Sequence, residues 1–210
     1  MNKTKAIDLF EITALLALPM LSSRISIFYI ILAMIIILAS RYLRKEKWTS
    51  YGFRTIELKK TLLAAIVGFG FAAIGNYFIE PLVTKLTGET ADLSSFSDVK
   101  GNVSGFFGLL AMGWVIGGLF EEFLFRGYLL NRINLTINNQ ALSKWIGIVV
   151  TSISFAVAHG YQGAGGIINT FYFSFILALL YYYFKKNVWY VIIVHGCFDT
   201  FGIIYLYLGL

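Results

Sequence analysis

The stretch Ile116–Gly127 reads I-G-G-L-F-E-E-F-L-F-R-G and places Glu121, Glu122 and Arg126 in otherwise apolar sequence. The uncharged run before the acids, from Gly101 to Phe120, is long enough to cross a bilayer as a helix. Apolar sequence resumes beyond them at Phe123, Leu124, Phe125, Tyr128, Leu129 and Leu130. The charges therefore lie inside a membrane-embedded helix rather than at its watery end. Ionisable groups at that depth are expensive, so they are paired, turned inward and functional. Helical spacing separates the two acids. Glu122 and Arg126 stand at i and i+4 on one face, where carboxylate and guanidinium can pair. Glu121 lies about 100° round the helix and has no local partner.

Composition extends this reading to the whole chain. Of 210 residues, 58% are hydrophobic and only 13% charged, about half the charged share of a soluble domain. The chain is expected to be an all-α, polytopic membrane protein with about seven transmembrane helices around an intramembrane polar pocket. It forms a single integral-membrane domain, 1–210, with a motif-bearing core at 103–205. Cys197 is the single cysteine, which excludes an internal disulfide and a zinc site built from several thiolates. The net charge of +6 does not imply a nucleic-acid partner, because the basic residues sit in short blocks beside apolar runs.

Seven spans are expected, at 7–23, 25–43, 61–80, 103–130, 145–159, 163–184 and 187–209. The first is the weakest, since Asp8 and Glu11 interrupt its start and Pro19 its end. Those acids also argue against a cleaved signal peptide. Residues 41–60 hold seven Lys or Arg against Glu46 and Glu57, which assigns this loop to the cytoplasm. With the N-terminus inside, fourteen of seventeen basic residues face or border the cytoplasm, and only Arg24, Lys85 and Lys100 fall outside. Gly113 and Gly117 form a small-xxx-small pair for close helix approach. The stretch Gly160–Gly166 lacks the Lys-Ser/Thr of a phosphate loop and is expected to be a flexible turn.

The chain's two histidines, His159 and His195, both lie in apolar segments. His159 closes S-I-S-F-A-V-A-H, four residues after Phe155, so ring and imidazole share a face. His195 opens H-G-C-F-D, which places Asp199 one turn along, able to orient the imidazole or share a metal or water with it. At helical rise, His195 is about 14 Å from Lys186, Glu121 about 16 Å from Arg132 and His159 about 22 Å from Lys144. Tilted helices would bring the three to one level. Cys197 points away from that face and is assigned to packing.

A carboxylate and two imidazoles in a water-excluded pocket can activate water and stabilise an oxyanion. The same groups can hold a divalent metal such as zinc, with His159 and His195 as ligands, that acidifies bound water. Both arrangements point to hydrolysis. No H-E-x-x-H occurs, Asp199 is the only acid of the late spans, and Asn102 precedes Ser104 where a G-x-S-G motif needs glycine.

E-E-F-L-F-R, F-A-V-A-H and H-G-C-F-D, in that order, resemble the three signature motifs of the CPBP family, which includes type II CAAX prenyl endopeptidases and bacteriocin-immunity proteins. The resemblance spans about 103–205. It implies an intramembrane endopeptidase of a bacterial-type plasma membrane, acting on membrane-bound or lipidated peptide or protein substrates. By that resemblance Glu121 activates water with His159, while His195 and Asp199 line the oxyanion site. Glu122, Arg126 and Phe155 are then structural support. Asp199 departs from the asparagine of the CAAX-processing enzymes. An ionised Asp199 would repel an oxyanion, so it is protonated, paired with His195 or bound to metal. Both a metal-dependent and a metal-free mechanism fit the family. Competing readings are a non-catalytic immunity or scaffold protein, and a proton-coupled transporter, for which no paired repeat of broken helices is apparent.

Overall fold

A computed structural model describes residues 3–21 and 27–210. Arg24 and the expected boundary between the first two spans lie outside the described residues. Among those described there is no strand. The helices are α1 (Lys3–Ala17), α2 (Ile27–Arg44), α3 (Leu58–Thr87), α4 (Val103–Thr136), α5 (Gln140–Ala158), α6 (Gly163–Tyr183) and α7 (Val188–Leu208). From α2 onward, all six are long and apolar enough to cross a membrane. Large apolar side chains on their outer faces, such as Ile35, Ile66, Val115 and Ile153, are exposed, as expected of surfaces that meet lipid rather than water. Asparagines start three of these helices. The side chains of Asn102, Asn139 and Asn187 accept the N–H of Gly105, Leu142 and Trp189, satisfying donors the helix itself leaves open.

Two helices are not regular. In α3 a π turn occupies Gly75–Ile79, and in α4 π geometry runs over Gly113–Glu121 and again over Phe123–Leu130. The α-helical geometry expected across the two acids is thus replaced by i→i+5 winding, a form concentrated at functional sites. The Glu122–Arg126 pairing survives that change.

The first span is shorter than expected. α1 has 15 residues and passes into a 3₁₀ turn at Leu18–Leu21. The acids that weaken it as a crossing are buried and paired. Arg44 reaches Asp8 and Glu11, each at 2.9 Å, and the Tyr128 hydroxyl donates to Glu11 at 2.6 Å. Arg132 joins the same group through Asp8 at 3.6 Å and also donates to Glu46 at 2.7 and 3.0 Å. Burial pushes the Glu46 carboxyl up, but the hydrogen bonds from Arg132 and Tyr51 outweigh it and hold Glu46 below the usual carboxylate range.

Loop contacts sort the bundle into two ends. At one, Lys5 meets Asn138, Arg54 donates to the Lys185 carbonyl, and Asn187 donates to that of Thr55. The loops 45–57, 137–139 and 184–187 therefore gather there with the start of α1. At the other, Asp92 N–H donates to the Gln162 carbonyl and Gly101 N–H to that of Tyr207. The basic blocks occupy the first end, and Glu89, Asp92 and Asp98 the second.

The flexible turn expected over Gly160–Gly166 is confined to a 3₁₀ turn at Gly160–Gln162, and α6 starts at Gly163. The glycines serve approach instead of flexibility. A Cβ on Gly165 would stand 2.6 Å from the Glu89 carbonyl oxygen, so the 89–91 backbone rests directly on the helix start.

Candidate active site in the membrane

Glu122 and Arg126 are fully buried at the centre of the bundle. Arg126 Nη1 donates to Glu122 Oε1 at 2.8 Å, while Nη2 donates to the carbonyl and hydroxyl oxygens of Ser174 at 2.7 and 2.8 Å. The same Glu122 Oε1 lies 2.8 Å from His195 Nδ1. One carboxylate oxygen therefore ties α4 to α7, while the arginine ties α4 to α6. The partner expected to orient His195 was Asp199, but Glu122 takes Nδ1. Asp199 faces the other nitrogen, with Oδ2 3.5 Å from Nε2. That is too long for a strong hydrogen bond.

His159 follows the last residue of α5, and its Nδ1 lies 2.8 Å from the Phe155 carbonyl oxygen. A carbonyl can only accept, so the neutral ring carries its proton on Nδ1 and keeps a lone pair on Nε2. The Phe155 ring is 4.8 Å from the imidazole and 5.3 Å from the Arg126 guanidinium. Phe155 thus packs against both the histidine and the ion pair. Phe173 packs edge-on against His195 at 4.7 Å.

Glycines bring α4 and α7 together at the site. A Cβ on Gly117 would stand 2.7 Å from Asp199 Oδ2 and 3.1 Å from His195 Nε2, and one on Gly113 would stand 3.2 Å from Asp199. The small-xxx-small pair is indeed a packing device, and what packs on it is the H-G-C-F-D segment. Gly196 has the reciprocal role, since the Trp114 ring would stand 2.5 Å from its Cβ. Gly117→Ala is accordingly expected to displace Asp199 and His195. Any turnover by this site should fall at least tenfold, about 1.4 kcal/mol of barrier, with the helix content unchanged. Gly108→Ala, where a Cβ meets nothing within 4 Å, is the control in the same turnover and circular-dichroism measurements. Equal activity in the two variants would refute the close-approach argument.

Glu121, His159, His195 and Asp199 all line one cavity of about 730 Å³. All four expected catalytic side chains are thus brought to a common space. Glu121 accepts no hydrogen bond from any described residue, in contrast to Glu122. Asn76 from the π turn of α3, Glu80 and Asn169 also line the cavity. Asn169 donates to Glu80 while its own Oδ1 is buried without a partner. These polar residues were not anticipated, and neither was Ser174. Nothing in sequence spacing relates α3 or α6 to the acids of α4. Among the described residues, no three His, Cys, Asp or Glu side chains lie close enough together to hold a metal ion.

Residues 103–201 match the family model described as type II CAAX prenyl endopeptidase Rce1-like. No curated protein and no solved structure matches the chain. The matched segment holds α4 to α6 and the part of α7 that carries His195 and Asp199. It supports the CPBP-family resemblance carried by the three motifs.

Proposed function

We propose that the protein is an intramembrane endopeptidase that hydrolyses peptide bonds of membrane-associated or lipidated substrates. Support comes from the Rce1-like match and from one observation above all, the convergence of Glu121, His159, His195 and Asp199 on a single membrane-embedded cavity. Glu121, with no hydrogen-bond partner among described residues, is the general base. It takes a proton from water while His159 Nε2 accepts the second O–H, and the nascent hydroxide attacks the scissile carbonyl carbon. The carbonyl π electrons move to oxygen. His195 donates to that oxyanion from Nε2 and must then be an imidazolium, with Glu122 and Asp199 as counter-charges. Collapse re-forms the carbonyl and breaks the C–N bond, and the protonated Glu121 returns its proton to the leaving amine. The products are a carboxylic acid and an amine.

The donor set offers His159 and His195 as the nitrogens a zinc ion would need, and Asp199 lies 3.5 Å from His195 Nε2, but among the described residues no three such side chains are grouped to hold a metal ion, so the reaction is written through the protein's own groups. The purified protein is expected to cleave a membrane-anchored peptide in the presence of a chelator, with Glu121→Gln as the inactive reference. A scaffold or immunity role would leave Glu121 dispensable.

Asp199→Asn decides what the departure from asparagine does. Because Glu122 holds Nδ1 and Asp199 only flanks Nε2, the amide is expected to retain activity within about tenfold of wild type, roughly 1.4 kcal/mol. Metal analysis should give the same content for both proteins. A metal-loaded wild type beside a metal-free, inactive variant would instead make Asp199 a ligand.

A further inference from the structure

We infer that the catalytic cavity opens on the non-cytoplasmic side of the membrane. Resting on the endopeptidase reading, this makes the substrate a polypeptide segment presented from that side, exported or membrane-anchored, rather than a lipidated cytoplasmic C-terminus.

The cavity is one-sided. From the catalytic groups it runs toward the end of the bundle that carries the 88–102 segment, where Leu93 and Phe96 line it with Tyr161, Leu206 and Leu210. Leu93 and Leu210 are 39% and 71% exposed, which marks the mouth. No lining residue comes from 122–154 or 174–194. On that side the Glu122–Arg126–Ser174 network closes the floor. Beneath it lie Phe125, Tyr128 and Tyr181, all at most 2% exposed. Phe123 then packs on Tyr51 and Phe53, and the Gly52 carbonyl accepts the Val188 N–H at 2.9 Å.

The closed end is the basic end. It carries Lys3 and Lys5, the seven Lys or Arg of 41–60, Arg132 and Lys144, and Lys185 with Lys186. The open end has Lys85 and Lys100 among Glu80, Glu89, Asp92 and Asp98. Basic flanks remain in the cytoplasm during insertion, and acids contribute little to that choice. The end that insertion retains inside is therefore the one through which the cavity cannot be reached. The mouth is mainly apolar and aromatic, with Glu80 in its lining and Glu89, Asp92 and Asp98 in the segment around it. A hydrophobic segment bearing no net negative charge matches that surface.

Accessibility tests the direction without using catalysis. Gly202 lines the cavity, and a Cβ there meets nothing within 4 Å. Gly202→Cys should react with a membrane-impermeant maleimide in intact cells, above the background of wild type, whose Cys197 is buried. Thr49→Cys, in the exposed basic loop, should react only after permeabilisation. Leu93→Cys at the mouth is the second variant if Gly202→Cys accumulates poorly. Reaction of Thr49→Cys from outside, with Gly202→Cys or Leu93→Cys reached only from inside, overturns the proposal. Activity is read with an impermeant quenched-fluorescent apolar peptide in right-side-out and inverted vesicles. Glu121-dependent cleavage is expected in the right-side-out vesicles, and cleavage confined to inverted ones would also overturn the proposal. Outside labelling without cleavage in either would support the opening and remove the endopeptidase reading alone.

Discussion

Glu121→Gln is expected to abolish cleavage, with a loss on the order of 10²–10⁴-fold for removing the general base. The fold should be unaffected. Glu121 is buried and lines the cavity, yet no described residue donates a hydrogen bond to it, so the amide removes basicity without orphaning a partner. The measurement pairs turnover of a membrane-anchored peptide with thermal unfolding in the same detergent. Loss of activity with an unchanged unfolding midpoint is the expected result. Full activity in the variant would remove Glu121 from the mechanism.

Glu122→Gln is expected to act first on stability. It takes the counter-charge from a fully buried arginine, and breaking a buried pair by removing one partner costs about 3–5 kcal/mol. The amide also faces His195 Nδ1 with a weaker acceptor, so activity falls in the protein that does fold. That second effect separates this structure from one in which Glu122 serves Arg126 alone. Arg126→Met should be similarly destabilising. The double variant Glu122→Met/Arg126→Met should recover part of the stability, because no uncompensated charge remains, and none of the activity, because His195 has lost its orienting carboxylate. Unfolding midpoints and turnover of the three proteins check this. Equal activity in Glu121→Gln and Glu122→Gln, with equal stability, would count against the division of labour.

The two acids illustrate how far local spacing can be read. Adjacent on the chain, they point in different directions on any helix, and only Glu122 has an arginine one turn away. Their separation into a paired and an unpaired carboxylate follows from that alone. The partners across the bundle do not. That Glu122 meets His195, and that Arg126 ends on Ser174, are contacts between residues 73 and 48 positions apart. They depend on how α4, α6 and α7 pack. The π winding of α4 was likewise invisible, since its residues suit an α-helix equally well.

Asp8 and Glu11 show the converse. Within α1 they read as defects in a crossing segment, because a membrane helix with two acids is costly in isolation. Arg44, Arg132 and Tyr128 remove that cost, and none of these partners is local to α1.

The sequence by itself determined the membrane class, the helical spans from α2 onward and the segregation of basic residues. It also marked Glu121, His159, His195 and Asp199 as ionisable side chains of apolar segments that would share one polar space. Each of these follows from the expense of exposing polar groups to lipid, which is a property of single segments. Tertiary structure alone decided that Glu122 rather than Asp199 holds His195 Nδ1, that Gly113 and Gly117 admit the H-G-C-F-D segment, and at which end the cavity opens. The physical reason is that these depend on distances of a few ångströms between helices. Such distances are set by side-chain volume and by the absence of a Cβ at the crossing points, which no pattern along a single helix encodes.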